Sequence, residues 1–265
     1  MKVLYLAGAA AISAVMFSSC VCGLKNKELP ATLAAGTDSL VVNDETGDYK
    51  MSVQALSDNS LAVSKAVGEY VNETLGGDYD GNTDDFKGVV KYYFDEVVAG
   101  AQKDFKEFEQ NPPMKYTDLT SFRVYSEGPD YITYLYEKDE YKGGAHGGHQ
   151  RYGMTFRKSD GRRIGWDVFT NKYDDDFHNM IKSGLKSFWK VDGDEQLKDY
   201  LMDENEIYSL SVPECPPLFT DEGIEFVYNQ YEIAPYASGL PVFTVPYSKI
   251  SEHMMLVAKK IVGIE

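Results

Sequence analysis

Apolar residues recur along this chain with two different periods, and the switches between them outline its architecture. Tyr49, Met51 and Val53 alternate with Lys50, Ser52 and Gln54, the period of a half-buried strand. The period then lengthens. Val63, Val67, Tyr70, Val71 and Leu75 share one face of a helix that Asn59 or Ser60 is placed to cap and Gly76-Gly77 to end. A longer helix opens at Asp84 or Asp85. Its stripe of Phe86, Val90, Tyr93, Phe94, Val97, Val98, Ala101, Phe105 and Phe108 runs to a stop at Asn111-Pro112-Pro113. So long an apolar stripe belongs to a core rather than to a cofactor groove.

After the prolines the period returns to two. Tyr116 to Tyr125, Tyr131 to Tyr136 and Gln150 to Phe156 read as strands. The turn Glu127-Gly128-Pro129-Asp130 joins the first two, and Ser159-Asp160-Gly161 turns the last into Arg162-Arg163-Ile164. Strands joined this tightly form an antiparallel meander. A third helix starts near Asp174-Asp175-Asp176, whose charges suit a helix N-terminus, and buries Phe177, Met180, Ile181, Leu185 and Phe188. A short helix around Leu197, Tyr200 and Leu201, strands at Ile224–Tyr228 and Val242–Val245, and a tail helix from Ser251 to Ile261 complete the pattern. The fold class is therefore α+β: antiparallel sheet or sheets with helices packed on one face, divisible into subdomains at 40–135 and 136–265.

The N-terminus has a different character. Lys2 precedes an uncharged apolar run from Val3 to Phe17, and small residues lead to Cys20, the order of a secretory signal peptide over residues 1–19. The run is short for a membrane span, which takes about 20 residues. Phe17-Ser18-Ser19-Cys20 resembles the lipobox of bacterial lipoproteins, with Phe17 where those boxes usually carry Leu. That resemblance implies lipidation of Cys20, with residues 20–39 as a flexible tether. The implied location is the cell envelope, anchored at the outer membrane or periplasmic face.

Composition narrows the partners. The formal charge is −16, with acidic residues spread along the chain. Nucleic acid is excluded as a partner, because binding it needs a basic face. A negative field favours a cationic partner, or serves solubility alone. The three cysteines are Cys20, Cys22 and Cys215, and no structural disulfide is expected with Cys22 in the tether. No Gly-x-Ser-x-Gly elbow occurs. Cys215 follows Glu214, which pushes a thiol pKa the wrong way for a nucleophile. The 42 acidic residues offer many chance carboxylate pairs, so glycoside hydrolysis stays open as a second reading.

Two loops carry candidate chemistry. Tyr141-Lys142-Gly143-Gly144-Ala145-His146-Gly147-Gly148-His149 permits positive φ and close backbone approach. No Gly-Lys-Ser/Thr follows, so it is no P-loop. With four histidines in the chain, His146 and His149 lack further ligands for a zinc site, and the plainest reading is a tight bend with His146 hydrogen-bonded inside. Asp78, Asp80 and Asn82 match the first ligands of a calcium loop, but Thr83 replaces its turn glycine and Val89 its bidentate Glu. No metal and no cofactor are expected.

Two segments together resemble the RsiV-like extracellular domain. One is Tyr141-x-Gly-Gly-Ala-His-Gly with Ile164-Gly165-Trp166-Asp167-Val168-Phe169. The other is Tyr231-Glu232-Ile233-Ala234-Pro235-Tyr236, followed by Val245-Pro246-Tyr247. Domains of that kind occur in lysozyme-sensing anti-sigma factors and beside the catalytic domain of some peptidoglycan deacetylases. The resemblance implies recognition at the cell wall, of a cationic lysozyme-like hydrolase or of peptidoglycan. Candidate binding residues are Gly143, Gly144, His146, His149, Tyr231 and Tyr236. The expectation is a lipid-anchored binding module without enzymatic activity. A glycan-active hydrolase and a purely structural envelope lipoprotein are the alternatives.

Overall fold

A computed structural model describes residues 4–7, 32–107 and 114–264. The expected lipidation site Cys20, most of the tether and the Asn111-Pro112-Pro113 stop lie outside these residues. Seven strands form one sheet in the order β1-β2-β3-β4-β5-β6-β7. They are β1 (Leu4–Ala7), β2 (Ala34–Asn43), β3 (Gly47–Leu56), β4 (Tyr116–Glu127), β5 (Tyr131–Tyr141), β6 (Gly148–Arg157) and β7 (Arg163–Ile164). Helices α1 (Ala62–Leu75) and α2 (Phe86–Glu107) join β3 to β4, so these two strands run parallel with Gly47 opposite Tyr116. The sheet is thus mixed at this one pair and antiparallel elsewhere, as the long crossover requires.

Both helices pack on one face of the sheet. Val67, Val71, Val90 and Phe94 meet Tyr49, Met51, Val53 and Phe122 in a single buried cluster. Strand β5 shows how the period-two pattern serves two cores. Ile132, Tyr134 and Tyr136 enter the helix-covered cluster, whereas Tyr131 and Leu135 point to the opposite face. The division expected between residues 135 and 136 therefore falls inside one continuous strand.

The second layer is a three-stranded sheet in the order β10-β9-β8, with β8 (Leu218–Phe219), β9 (Gly223–Val227) and β10 (Val242–Pro246). Helix α3 (Asp175–Trp189) buries Phe177, Ile181 and Leu185 against it. As its acidic start suggested, Asp174 caps α3 by accepting from the Phe177 N–H at 2.8 Å. Two threonines join the layers. The Thr133 and Thr155 hydroxyls lie 2.9 Å apart; Thr133 donates to the Phe219 carbonyl and Thr155 accepts from the Phe219 N–H.

Four expectations change. Ala34–Ser39, placed in the tether, begin β2, and Leu33 just before them is fully buried. Neither Asn59 nor Ser60 caps α1. Leu61 holds that position, because Ser60 is tied to the Asp58 carboxylate and the Asn59 amide reaches the Asp84 carbonyl. Strands β4 and β5 run on to Glu127 and Tyr141. The tail helix is broken: a 3-10 turn at Ser251–His253 precedes a short helix over Leu256–Ile261. Between them Met254 forms a bridge with Phe169, and the Met255 N–H donates to the Val168 carbonyl at 2.8 Å. Among the described residues no helix is long and apolar enough to cross a membrane.

Candidate functional site

Strands β5 and β6 meet at the glycine-rich loop. Gly143 and Gly144 adopt φ of 95° and 99°, a region that side chains avoid, which explains the paired glycines. A Cβ on Gly147 would lie 2.8 Å from the Glu140 carbonyl oxygen, so the loop also needs its third glycine for close passage. These constraints bring His146 out to solvent. The tight bend exists, but the histidine is exposed, not enclosed as expected.

His146 meets the Tyr231–Tyr236 segment. Its ring stacks on Tyr236 with centroids 3.8 Å apart and planes 17° from parallel. Its Nε2 lies 3.2 Å from the Tyr231 hydroxyl, and Nδ1 lies 2.8 Å from the Gly147 carbonyl oxygen. Tyr231 is 53% exposed and has φ of 65°, a left-handed backbone that a bulky side chain rarely adopts. Such strain is of order 1–3 kcal/mol and persists only where the surroundings over-determine it. Here those surroundings are visible. Ile233 and Ala234 are buried, and both Glu232 oxygens accept backbone N–H groups, from Glu214 at 2.6 Å and Asn229 at 2.8 Å. Burial pushes the Glu232 carboxyl above its usual range, against those two hydrogen bonds.

Two residues that the sequence reading passed over fix this segment to the sheet. The Asn229 side chain accepts from the Arg151 N–H at 2.9 Å and donates to the Arg151 carbonyl at 3.0 Å. The Gln230 side chain accepts from the His149 N–H at 3.1 Å. They are the two positions between Tyr228 and Tyr231, and nothing in their identity alone marks them out. His149 has a different role from His146. Its Nδ1 lies 2.6 Å from Asp139 Oδ1, and it takes no part in the aromatic stack. The six candidate residues thus resolve into a trio of exposed His146 and Tyr231 with half-buried Tyr236, glycines that shape its loop, and His149 beside an acid.

Arg151, whose backbone Asn229 holds, also anchors a charged network that the sequence did not announce. Arg151 bridges Glu137 at 2.6 Å and Glu225 at 2.9 Å, and Arg123 holds the other side of Glu137 at 3.1 Å. The Tyr125 hydroxyl donates to Glu225 at 2.6 Å, with both guanidinium groups about 5 Å from its ring. Burial disfavours charge on Arg151, yet Glu225 and Glu137 outweigh it and raise the arginine pKa. This network crosses from the large sheet to β9 and supports the loop platform.

Cys215 is fully buried, and burial rather than Glu214 pushes its thiol pKa up to about 12. Among the described residues no group of three or more His, Cys, Asp or Glu side chains is arranged to hold a metal ion. In the Asp78–Asp85 loop, Asn82 accepts from the Asp84 N–H, and the Tyr79 N–H donates to Tyr93.

No curated protein matches the chain. A crystal structure of a DUF3298 family member from Bacteroides fragilis superposes with a TM-score of 0.60 at 23% identity, covering 85% of this chain and 95% of that one. A DUF3298 family protein from Pseudomonas aeruginosa gives 0.57 at 14% identity, covering 83% and 94%. Both share the fold across the two layers. The family model matches from Trp166 onward, and so includes Tyr231–Tyr236 but not the glycine-rich loop. Over residues 166–248, then, the chain matches the family described as "Protein of unknown function (DUF3298)".

Proposed function

We propose that this protein is an envelope-anchored binding module whose partner is a cationic cell-wall hydrolase of the lysozyme kind. The observation that carries the reading is the stack of exposed His146 on half-buried Tyr236, with Tyr231 held beside it in a left-handed backbone. Rigid, half-exposed aromatic side chains are the usual anchors of a protein interface. Near the end of β5, Glu140 is paired with Lys138 at 2.9 Å and Lys142 at 3.7 Å, and Asp139 with His149 at 2.6 Å, so the charge that bears on a partner is that of the chain as a whole. With a formal charge of −16, the field steers a basic partner inward, and the aromatic trio supplies contact area once it arrives. The resemblance to RsiV-like domains supports the choice of a hydrolase, and Cys20 supplies the lipid anchor in this reading.

Calorimetric titration with lysozyme tests the proposal. Saturable binding is expected at low ionic strength and should weaken steeply with salt, since the screening length falls to about 10 Å at 0.1 M. Tyr236→Ala and His146→Ala should each weaken binding by about tenfold, or about 1.4 kcal/mol. Absence of binding at low salt would end this version of the function.

A further inference from the structure

A second candidate site shares no lining residue with the glycine-rich loop or the aromatic trio and lies where the approach to α3 meets the 3-10 segment Glu204–Tyr208. Between them is a cavity of about 240 Å³. Its rim carries Tyr173 and Tyr208, 79% and 75% exposed, the two most exposed large apolar side chains among the described residues. We propose that this cavity binds one pyranose ring of a glycan.

The lining has the composition such a ligand requires. Phe177 and Ile181, both buried core residues of α3, give the cavity an apolar floor. Around it stand groups able to bond hydroxyls: the Asp175 carboxylate, the Ser209 hydroxyl and the His178 imidazole. The His178 ring is oriented by its Nε2, 3.0 Å from the Ile207 carbonyl oxygen. In the neutral ring Nε2 is then the donor, which leaves Nδ1 as an acceptor with no partner among the described residues. A sugar ring presents apolar C–H faces and a polar hydroxyl rim, the complement of aromatic platforms beside convergent polar groups.

Both tyrosines are positioned rather than loose. Asn171 turns the chain with φ of 54° just before Lys172-Tyr173, and its carbonyl accepts from the Asp174 N–H that begins the cap of α3. The Lys172 ammonium lies 5.5 Å from the Tyr173 ring centre, and the Lys198 ammonium lies 5.5 Å from that of Tyr208. Lys172 and Asp175 line the cavity together, so its charge is balanced and favours a neutral ligand, and a wholly apolar one would leave the polar groups without bonds.

The test uses the intact chain and a panel of neutral tetrasaccharides: β1,4-linked glucose, β1,4-linked N-acetylglucosamine, α1,4-linked glucose and α1,6-linked mannose. Calorimetry or NMR titration should show saturable binding of at least one. Tyr173→Ala and Tyr208→Ala should each weaken it at least tenfold, and Tyr→Phe at either position should retain it within about threefold. Both side chains are exposed, so circular dichroism should stay unchanged. Tyr236→Ala should leave saccharide binding intact, which separates this site from the one proposed for a protein partner. Failure of all four sugars to bind, or undiminished binding by the Tyr173→Ala/Tyr208→Ala double variant, overturns the proposal. Capture of a protein instead, dependent on these two tyrosines, overturns it as well.

Discussion

Replacing Arg151 by Met should expose how much the buried network contributes. The Arg151 side chain is 15% exposed and Glu225 is 8% exposed, so water compensates little for the loss. Removing one partner of a buried ion pair costs about 3–5 kcal/mol. Two features pull toward the low end: Glu137 keeps Arg123, and Glu225 keeps the Tyr125 hydroxyl. We therefore expect about 3 kcal/mol, which for a chain of this size lowers Tm by about 6–12 °C. Urea denaturation followed by circular dichroism measures it. Glu225→Gln in the same background removes the stranded charge, so the double variant should lose clearly less than the sum of the two single variants. A loss below about 1 kcal/mol for Arg151→Met, or strict additivity in the double variant, refutes the reasoning.

Asn229→Ala should cost about 1–3 kcal/mol, because the Arg151 N–H and carbonyl lose their side-chain partners. It should also loosen the aromatic trio, read as loss of the ring-current shift that Tyr236 imposes on the His146 ring protons. At high pH, burial and the hydrogen bond to Glu225 raise the Tyr125 pKa to about 12, and burial raises that of Tyr136 to about 12. An unfolded tyrosine ionises near 10. The stabilisation these groups give is therefore complete below pH ~10 and is lost as pH rises from there toward about 12. Tyrosinate absorbance in that window should rise together with loss of the circular dichroism signal, and a tyrosinate titration complete before any unfolding would contradict it. Cys20→Ala should move the protein from the membrane to the soluble fraction of its host. Unchanged membrane association, or an intact leader by mass spectrometry of the wild type, would remove the lipid anchor from the model of function.

The parts of the fold legible in the sequence are those where one face decides everything. Helices α1, α2 and α3 each bury a single stripe against a sheet, and the spacing of Val67 and Val71, or of Phe177 and Ile181, states it directly. Strand β2 is not legible in this way. Ala34-Ala35-Gly36-Thr37-Asp38-Ser39 carries few apolar side chains and becomes a strand through its pairing with β3. The parallel pairing of β3 with β4 depends on where two helices return the chain, which no local pattern encodes. The candidate site follows the same division. Glycines at 143 and 144 announce their positive φ, and the resemblance to RsiV-like domains singled out His146, Tyr231 and Tyr236, but not their contact. That His146 faces solvent, and that Asn229, Gln230 and Arg151 hold the platform, are consequences of tertiary contact between segments about 80 residues apart.

The two amides from Asn229 and Gln230 have a consequence for assembly. Along β6, the His149 and Arg151 N–H groups are taken by these side chains, and Thr155 pairs with Ile164 of β7. Together these close a margin where another chain could otherwise add a strand. A partner at this end of the sheet has no backbone ladder to extend. It must recognise side chains, and the ones on offer are the aromatic trio and the paired charges of Asp139, Glu140, Lys138 and Lys142.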